Sequence, residues 1–231
     1  MISLSVVLQV TDTLNKLKLD ETVTRHISFF DLLIKGGVIL IPIGILSLVA
    51  IYLIAEKYYV IHMGTRLRRG VSYEFKKHLR TGDTEMAKSL LKKETGAYST
   101  IFLHGLDHLD YPVKEMESEM ENVSNIEVNK LSKNLNYLGI IAGIAPMLGF
   151  IGTISGIIKI FYNISITDNI SIGVISGGLY EKMISSGSGL IVGVIAYAGY
   201  HVLNMKLDRF ISFVEAEAFD VVNIIKSRNR Q

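Results

Sequence analysis

The 231 residues contain no cysteine, which closes disulfide and zinc–thiolate readings at once. No phosphate-binding loop occurs, so any work the protein does would draw on an ion gradient or another source rather than on bound nucleotide. The formal net charge is only +2, too small for a strong global pull on nucleic acid, and no such partner is expected. The amino terminus lacks both a basic stretch ahead of its apolar run and a small-x-small cleavage site, so it does not read as a signal peptide. The most informative absence is local. Asn134 to Ile158 holds no acid or base, Met183 to Met205 holds none apart from His201, and Gly36 to Ala55 adds twenty more uncharged residues. A bilayer crossing needs roughly 20 apolar residues at about 1.5 Å rise apiece. Each run is long enough.

What is present agrees with those gaps. Hydrophobic residues make up 49% of the chain and mean hydropathy is +0.36, with the apolar residues clustered rather than spread over one soluble core. The expected fold class is an all-α membrane protein with three transmembrane helices, the second and third extending into the cytoplasm. Residues 1–27 read as an amphipathic or flexible segment on the periplasmic side. Span one covers 28–56, with Pro42 in its first turns and Tyr52, Tyr58 and Tyr59 suited to a membrane interface. Glu56 and Lys57 mark its exit as a helix-end ion pair.

Residues 57–133 form a cytoplasmic helical region. Between Lys57 and Arg80 stand seven bases against one acid, Glu74, and the positive-inside rule places that side in the cytoplasm. Arg80-Thr81-Gly82-Asp83 reads as a helix stop followed by a new N-cap, with Thr84 to Lys93 the next helix. Pro112 opens a further helix expected to run unbroken into the second span. Its acids Glu115, Glu117, Glu119 and Glu121 read as a solvated face, with a girdle inside an assembled ring as the sharper alternative. Span two covers 134–161, a periplasmic loop 162–176, span three 177–204, and a cytoplasmic C-terminal helix 205–231. The loop holds one charge, Asp168.

Spans two and three are dense in Gly, Ala, Ser and Thr, which allow close helix approach and offer hydroxyls to a neighbour. Gly139, Gly143, Gly149, Gly152 and Gly156 would either smooth the wall of a lumen or pair helices tightly within one subunit. Glu181, at the mouth of span three, needs a partner or a wet cavity; Lys182 beside it is one candidate. An ion crossing such a core must pass between oxygens, because an unpaired charge there costs several kcal/mol.

These residues resemble a known family. Ala145 to Gly156 (A-P-M-L-G-F-I-G-T-I-S-G) is similar to the A-P-L-L-G-L-x-G-T-V-x-G signature of the MotA/TolQ/ExbB ion-channel proteins. Gly178 to Leu190 (G-L-Y-E-K-M-I-S-S-G-S-G-L) is similar to their G-I-A-E-A-L-x-x-T-x-x-G-L segment. The likeness runs from about Phe30 to Arg228 and is nearest to ExbB and TolQ. It implies a homopentamer in the bacterial inner membrane, N-terminus periplasmic and C-terminus cytoplasmic. It also implies a pore holding a dimer of an ExbD- or TolR-like single-span protein with an essential Asp, and a TonB- or TolA-like protein beyond. Thr153 and Ser186 then match the family's hydroxyls on the ion path, and Glu181 its glutamate, with Lys182 replacing the usual Ala. Pro146, Gly149, Gly152 and Gly156 line the pore or pack. No cofactor is implied beyond the coupling ion, H+ or Na+. Ser185-Ser186 resembles the paired hydroxyls of sodium-type relatives and leans toward transient Na+ at Thr153, Ser185 and Ser186.

Other chemistries fare worse. An intramembrane serine protease needs a G-x-S-G loop whose first Gly is missing before Ser188, and His201 lies thirteen residues on, roughly 20 Å along the same helix. His104 and His108 have metal-ligand spacing, yet no glutamate stands where a zinc protease needs its base. No enzymatic activity is expected. A non-conducting membrane scaffold, or a stator for motility or secretion, remains the alternative.

Overall fold

A computed structural model describes residues 37–167 and 172–228. The amphipathic stretch at 1–27 and the loop charge Asp168 lie outside the described residues. Every element among the described residues is a helix, as the uncharged runs and 3.6-residue patterns demand. Three stretches among the described residues are long and apolar enough to cross a membrane.

Helix α1 spans Leu40–Gly64, with Pro42 in its first turn, where a missing amide costs least. It continues two turns past the expected exit. Glu56 and Lys57 pair at 3.1 Å while still inside the helix, and Lys57 is buried. Three short helices follow: α2 (Val71–Thr81), α3 (Thr84–Lys92) and α4 (Ala97–Asp107). Gly82 takes a left-handed φ of 82° that ends α2, a conformation glycine adopts without steric cost. Asp83 then accepts a hydrogen bond from the Met86 amide at 3.0 Å, a cap worth about 1 kcal/mol.

Helix α5 (Val113–Ser132) follows Pro112, and α6 covers Asn136–Thr167. One unbroken helix was expected here. The chain instead breaks at Lys133, which is extended at ψ 132°, and at Asn134, which has φ 65°. Asparagine tolerates that left-handed region better than most residues, so the break needs neither Gly nor Pro. The expected 162–176 loop shrinks as well, because α6 runs to Thr167 and the last helix begins at Ile172. That helix, α7 (Ile172–Arg228, 57 residues), joins span three and the C-terminal segment without interruption.

Two cores share α7. In the soluble part, Phe75, Leu79, Tyr98, Phe102, Met116 and Met120 pack against Leu207, Phe210 and Val214. Tyr98 and Phe102 lie 4.4 Å apart between ring centroids, and Phe75 and Phe102 5.7 Å; such pairs add about 0.5–1.5 kcal/mol each. In the membrane part, Ala50, Leu53, Leu138, Ile141 and Ala145 meet Ala196 and Leu203. Only 28% of each spanning window is buried within the chain, leaving most of that surface for lipid or other copies.

Candidate functional site

The site begins with the seam between α6 and α7. Ala145, Gly149, Gly152 and Gly156 recur at three- and four-residue spacing on α6 and are all buried, which puts them on one face. Gly149 and Gly189 meet backbone to backbone: a Cβ on Gly149 would lie 3.0 Å from Ser186 Cα, and one on Gly189 only 2.5 Å from the Ala145 carbonyl oxygen. Pro146 packs on Gly193 in the same manner, and the Ala142 carbonyl beside it lies 3.1 Å from where a Gly193 Cβ would sit. Proline at 146 has no amide to give that carbonyl, so small residues opposite let the two helix backbones close over the gap.

The contacts sort the glycines. Gly149, Gly152 and Gly156 face α7 of their own chain, and Gly139 faces the Tyr200 ring, which a Cβ there would meet at 3.6 Å. Gly143 alone among the five has nothing within 4 Å. In this chain, tight pairing therefore accounts for four of the five positions, and a smooth outward wall for at most one.

That close approach gathers the hydroxyls. Thr153 Oγ1 lies 3.3 Å from its own helix's Gly149 carbonyl and 3.3 Å from the Lys182 carbonyl across the seam. A threonine carries one hydroxyl proton, so it donates to one of these at a time. Ser185 is fully buried, and its Oγ has no hydrogen-bond partner among the described residues. It points at Gly152, where a Cβ would sit 3.0 Å from the Oγ. An unpaired buried hydroxyl costs about 1–3 kcal/mol. Ser186, half-buried, presents its backbone to Gly149.

One turn nearer the start of α7 stand Glu181 and Lys182. Their side chains pair at 2.8 Å, although successive residues do not share a helix face. The pair forms because the Lys182 stem lies flat across Gly156 of α6, where any Cβ would collide with it. Gly37, just ahead of α1, sits against the same pair: a Cβ there would come 2.9 Å from Glu181 Oε1. The sequence pointed to Lys182 as a partner for Glu181, but not to Gly156 as the bed for its stem.

Sequence reasoning missed a second cluster altogether. Glu217, buried on α7, accepts from Tyr98 Oη at 3.0 Å and Lys76 Nζ at 2.9 Å, and also from Ser72 Oγ. Lys76 reaches Asp220 as well, at 2.9 Å. Burial, and then the Glu217 charge, push the Tyr98 phenol far above its ordinary range, so it stays protonated and donating. Burial works against the Lys76 ammonium, yet its hydrogen bonds to Asp220 and Glu217 prevail and hold its pKa above the usual lysine value. These residues are separated by more than a hundred positions, and nothing local in the sequence announces them. His108 Nδ1 lies 2.8 Å from the His104 carbonyl oxygen, and no group of three or more candidate metal ligands occurs among the described residues.

Comparison with known proteins places this geometry in context. The family model described as the MotA/TolQ/ExbB proton channel family matches residues 93–216, which include the whole α6–α7 seam. A putative biopolymer transport protein ExbB homolog from Methanothermobacter thermautotrophicus is 32% identical over 101 residues, covering 44% of this chain and 36% of that one. Biopolymer transport protein exbB1 of Vibrio cholerae is 32% identical over 88 residues, covering 38% and 39%. The Tol-Pal system protein TolQ of Haemophilus influenzae is 23% identical over 118 residues, covering 46% and 52%. The matched part thus spans about two fifths to half the length of these relatives.

Proposed function

This chain belongs to the MotA/TolQ/ExbB proton channel family, and from that premise we propose that it is the ion-channel subunit of a stator in a bacterial inner membrane. Copies of the chain would assemble as a pentamer. An ExbD- or TolR-like single-span dimer would stand in its centre, and a TonB- or TolA-like protein would carry the motion outward. The bases between Lys57 and Arg80 favour a cytoplasmic α2–α5 region, with the N-terminus periplasmic and the C-terminus cytoplasmic.

The observation that carries this reading is Ser185. Its buried oxygen has no partner among the described residues, and Thr153 lies on the facing helix with two carbonyls in reach of its one proton. A purely structural seam would satisfy such groups; a path that passes ions leaves an oxygen free to accept them. Glu181 with its attached Lys182 would set the electrostatics at the entrance, and Ser186 would extend the hydroxyl track. H+ is the coupling ion the family's description favours; Thr153, Ser185 and Ser186 are the oxygens that would take Na+.

Thr153→Val and Ser186→Ala in the assembled complex test the assignment. Both should lower partner-driven work at least tenfold, about 1.4 kcal/mol, while leaving the oligomer intact by size. Activity that survives both changes overturns the path. The glycine contacts favour one other reading, a ring that only assembles; under it, work and assembly fall together in every variant. Work measured in sodium-free buffer with an imposed proton gradient decides the ion.

A further inference from the structure

The soluble half carries two exposed surfaces that match in charge and in height. Between α5 and α7 opens a cleft of about 340 Å³, floored by Met120 and Ile211 and edged by Phe219, Glu117, Glu121 and Glu215. Phe219 is 69% exposed, a large ring left in water beside the cleft. On α2, Tyr73, Lys77 and Arg80 turn outward, with Tyr73 72% exposed. None of these five charged groups forms an ion pair among the described residues.

Height along the molecule is set by α7, one helix from the membrane span to Arg228. Lys76, bonded at 2.9 Å to both Glu217 and Asp220, fixes the middle of α2 at the level of those residues. The α7 residues of the cleft run from Ile211 to Val222 and bracket that level. Rotation about an axis parallel to the spans keeps height unchanged, so in a ring each copy offers α2 where the next copy offers the cleft. Arg209 on α7 fails this condition, lying about 12 Å nearer the spans than Glu217 at 1.5 Å per residue.

The two surfaces also face different ways. Glu217 looks toward α2 and Ala218 lines the cleft; successive helix residues point about 100° apart. Unlike surfaces in contact make a heterologous interface, the kind that rotation closes into a ring. We propose that the cleft receives α2 of a second copy of this chain. Lys77 and Arg80 of one protomer then meet Glu117, Glu121 and Glu215 of the next, and Tyr73 lies beside Phe219. The proposal rests on the ring reading above and names the soluble surface that holds such a ring together. Acidic and basic edges around apolar contact give both register and attraction.

The absence of cysteine makes the test direct. In membranes containing the full chain, Lys77→Cys combined with Glu121→Cys should yield a ladder of linked multimers with a short bismaleimide. Arg209→Cys combined with Glu121→Cys should not. Reversing Glu117 and Glu121 to Lys should lower the assembled fraction about tenfold at low salt, and Lys77→Glu with Arg80→Glu in the same chain should recover it. A complex of undiminished size that gives no ladder from the first pair overturns the docking and leaves the ring standing. A chain that stays monomeric without any substitution overturns both.

Discussion

Helix α7 is packed twice, by opposite means. Along the membrane it meets α6 through Gly189 and Gly193, close enough that a Cβ would strike backbone or the Pro146 ring. About twenty residues later its Leu207, Phe210 and Val214 are held by Tyr98 and the other large side chains of that core. The difference is one of solvent. In water, burying aromatic and aliphatic area is favourable at about 25 cal/mol per Å². In lipid that drive is missing, and helices associate through dispersion at short range and through interhelical hydrogen bonds such as Thr153 to the Lys182 carbonyl. Size is therefore an asset in one half and a liability in the other.

The sharpest way to break that contrast is to exchange sizes. Phe102→Ala removes a fully buried ring and should cost about 3–5 kcal/mol of stability in the soluble bundle. Gly189→Val adds bulk where Ala145 O stands 2.5 Å away and Gly149 Cα 3.1 Å, and should cost about 1–3 kcal/mol or more by overpacking. Gly143→Ala, with open space around it, should cost less than either. Denaturant titration in detergent, followed by a probe in each half, checks the order. Should Gly189→Val prove milder than Gly143→Ala, close approach is not what joins α6 to α7.

A smaller effect separates the halves by their polar groups. Tyr98→Phe keeps the ring packed against Phe102 and removes one donor to the buried Glu217, leaving Ser72 and Lys76. The expected loss is about 1–2 kcal/mol. Ser185→Ala in the span removes a hydroxyl with no partner among the described residues, so stability should hold or rise while ion-driven work falls. Equal destabilisation by both changes would mean that Ser185 is bonded in the assembled protein.

How far the sequence foretold all this depends on how local each cause is. The Gly82–Asp83 stop and cap is written in neighbouring residues, and the structure follows it with a left-handed Gly82 and a bond from Met86 to Asp83. The three spans follow from missing charge, which a linear reading sees directly. The break at Asn134 was not legible, since Lys-Asn-Leu-Asn carries no Gly or Pro and nothing local announces its φ of 65°. The Glu217 cluster was hidden for the same reason: its partners come from α2 and α4, far away in sequence. At the seam, motif spacing marked Thr153, Ser185 and Ser186 together. Only the fold shows that Ser185 is the one sealed against Gly152.

The smallest expected effect belongs to the soluble surface. Lys88 on α3 and Asp107 at the end of α4 pair at 2.8 Å. The Lys88 hydrogen bond, opposed by slight burial, holds the Asp107 carboxyl below its ordinary value. A carboxylate depressed in the folded state stabilises the fold above its unfolded pKa, near 4, and loses that contribution as pH falls through the folded value. Asp107 is largely exposed, so screening limits the pair to at most about 1 kcal/mol. Thermal melts of the soluble bundle's signal between neutral pH and about pH 3 should therefore show a slightly shallower acid loss for Asp107→Asn than for the unchanged chain. The gap should narrow in high salt, because an exposed pair is screened within about 10 Å at 0.1 M. A gap that salt leaves untouched would mean the pair is shielded from solvent, as it would be if this surface, too, lay between copies.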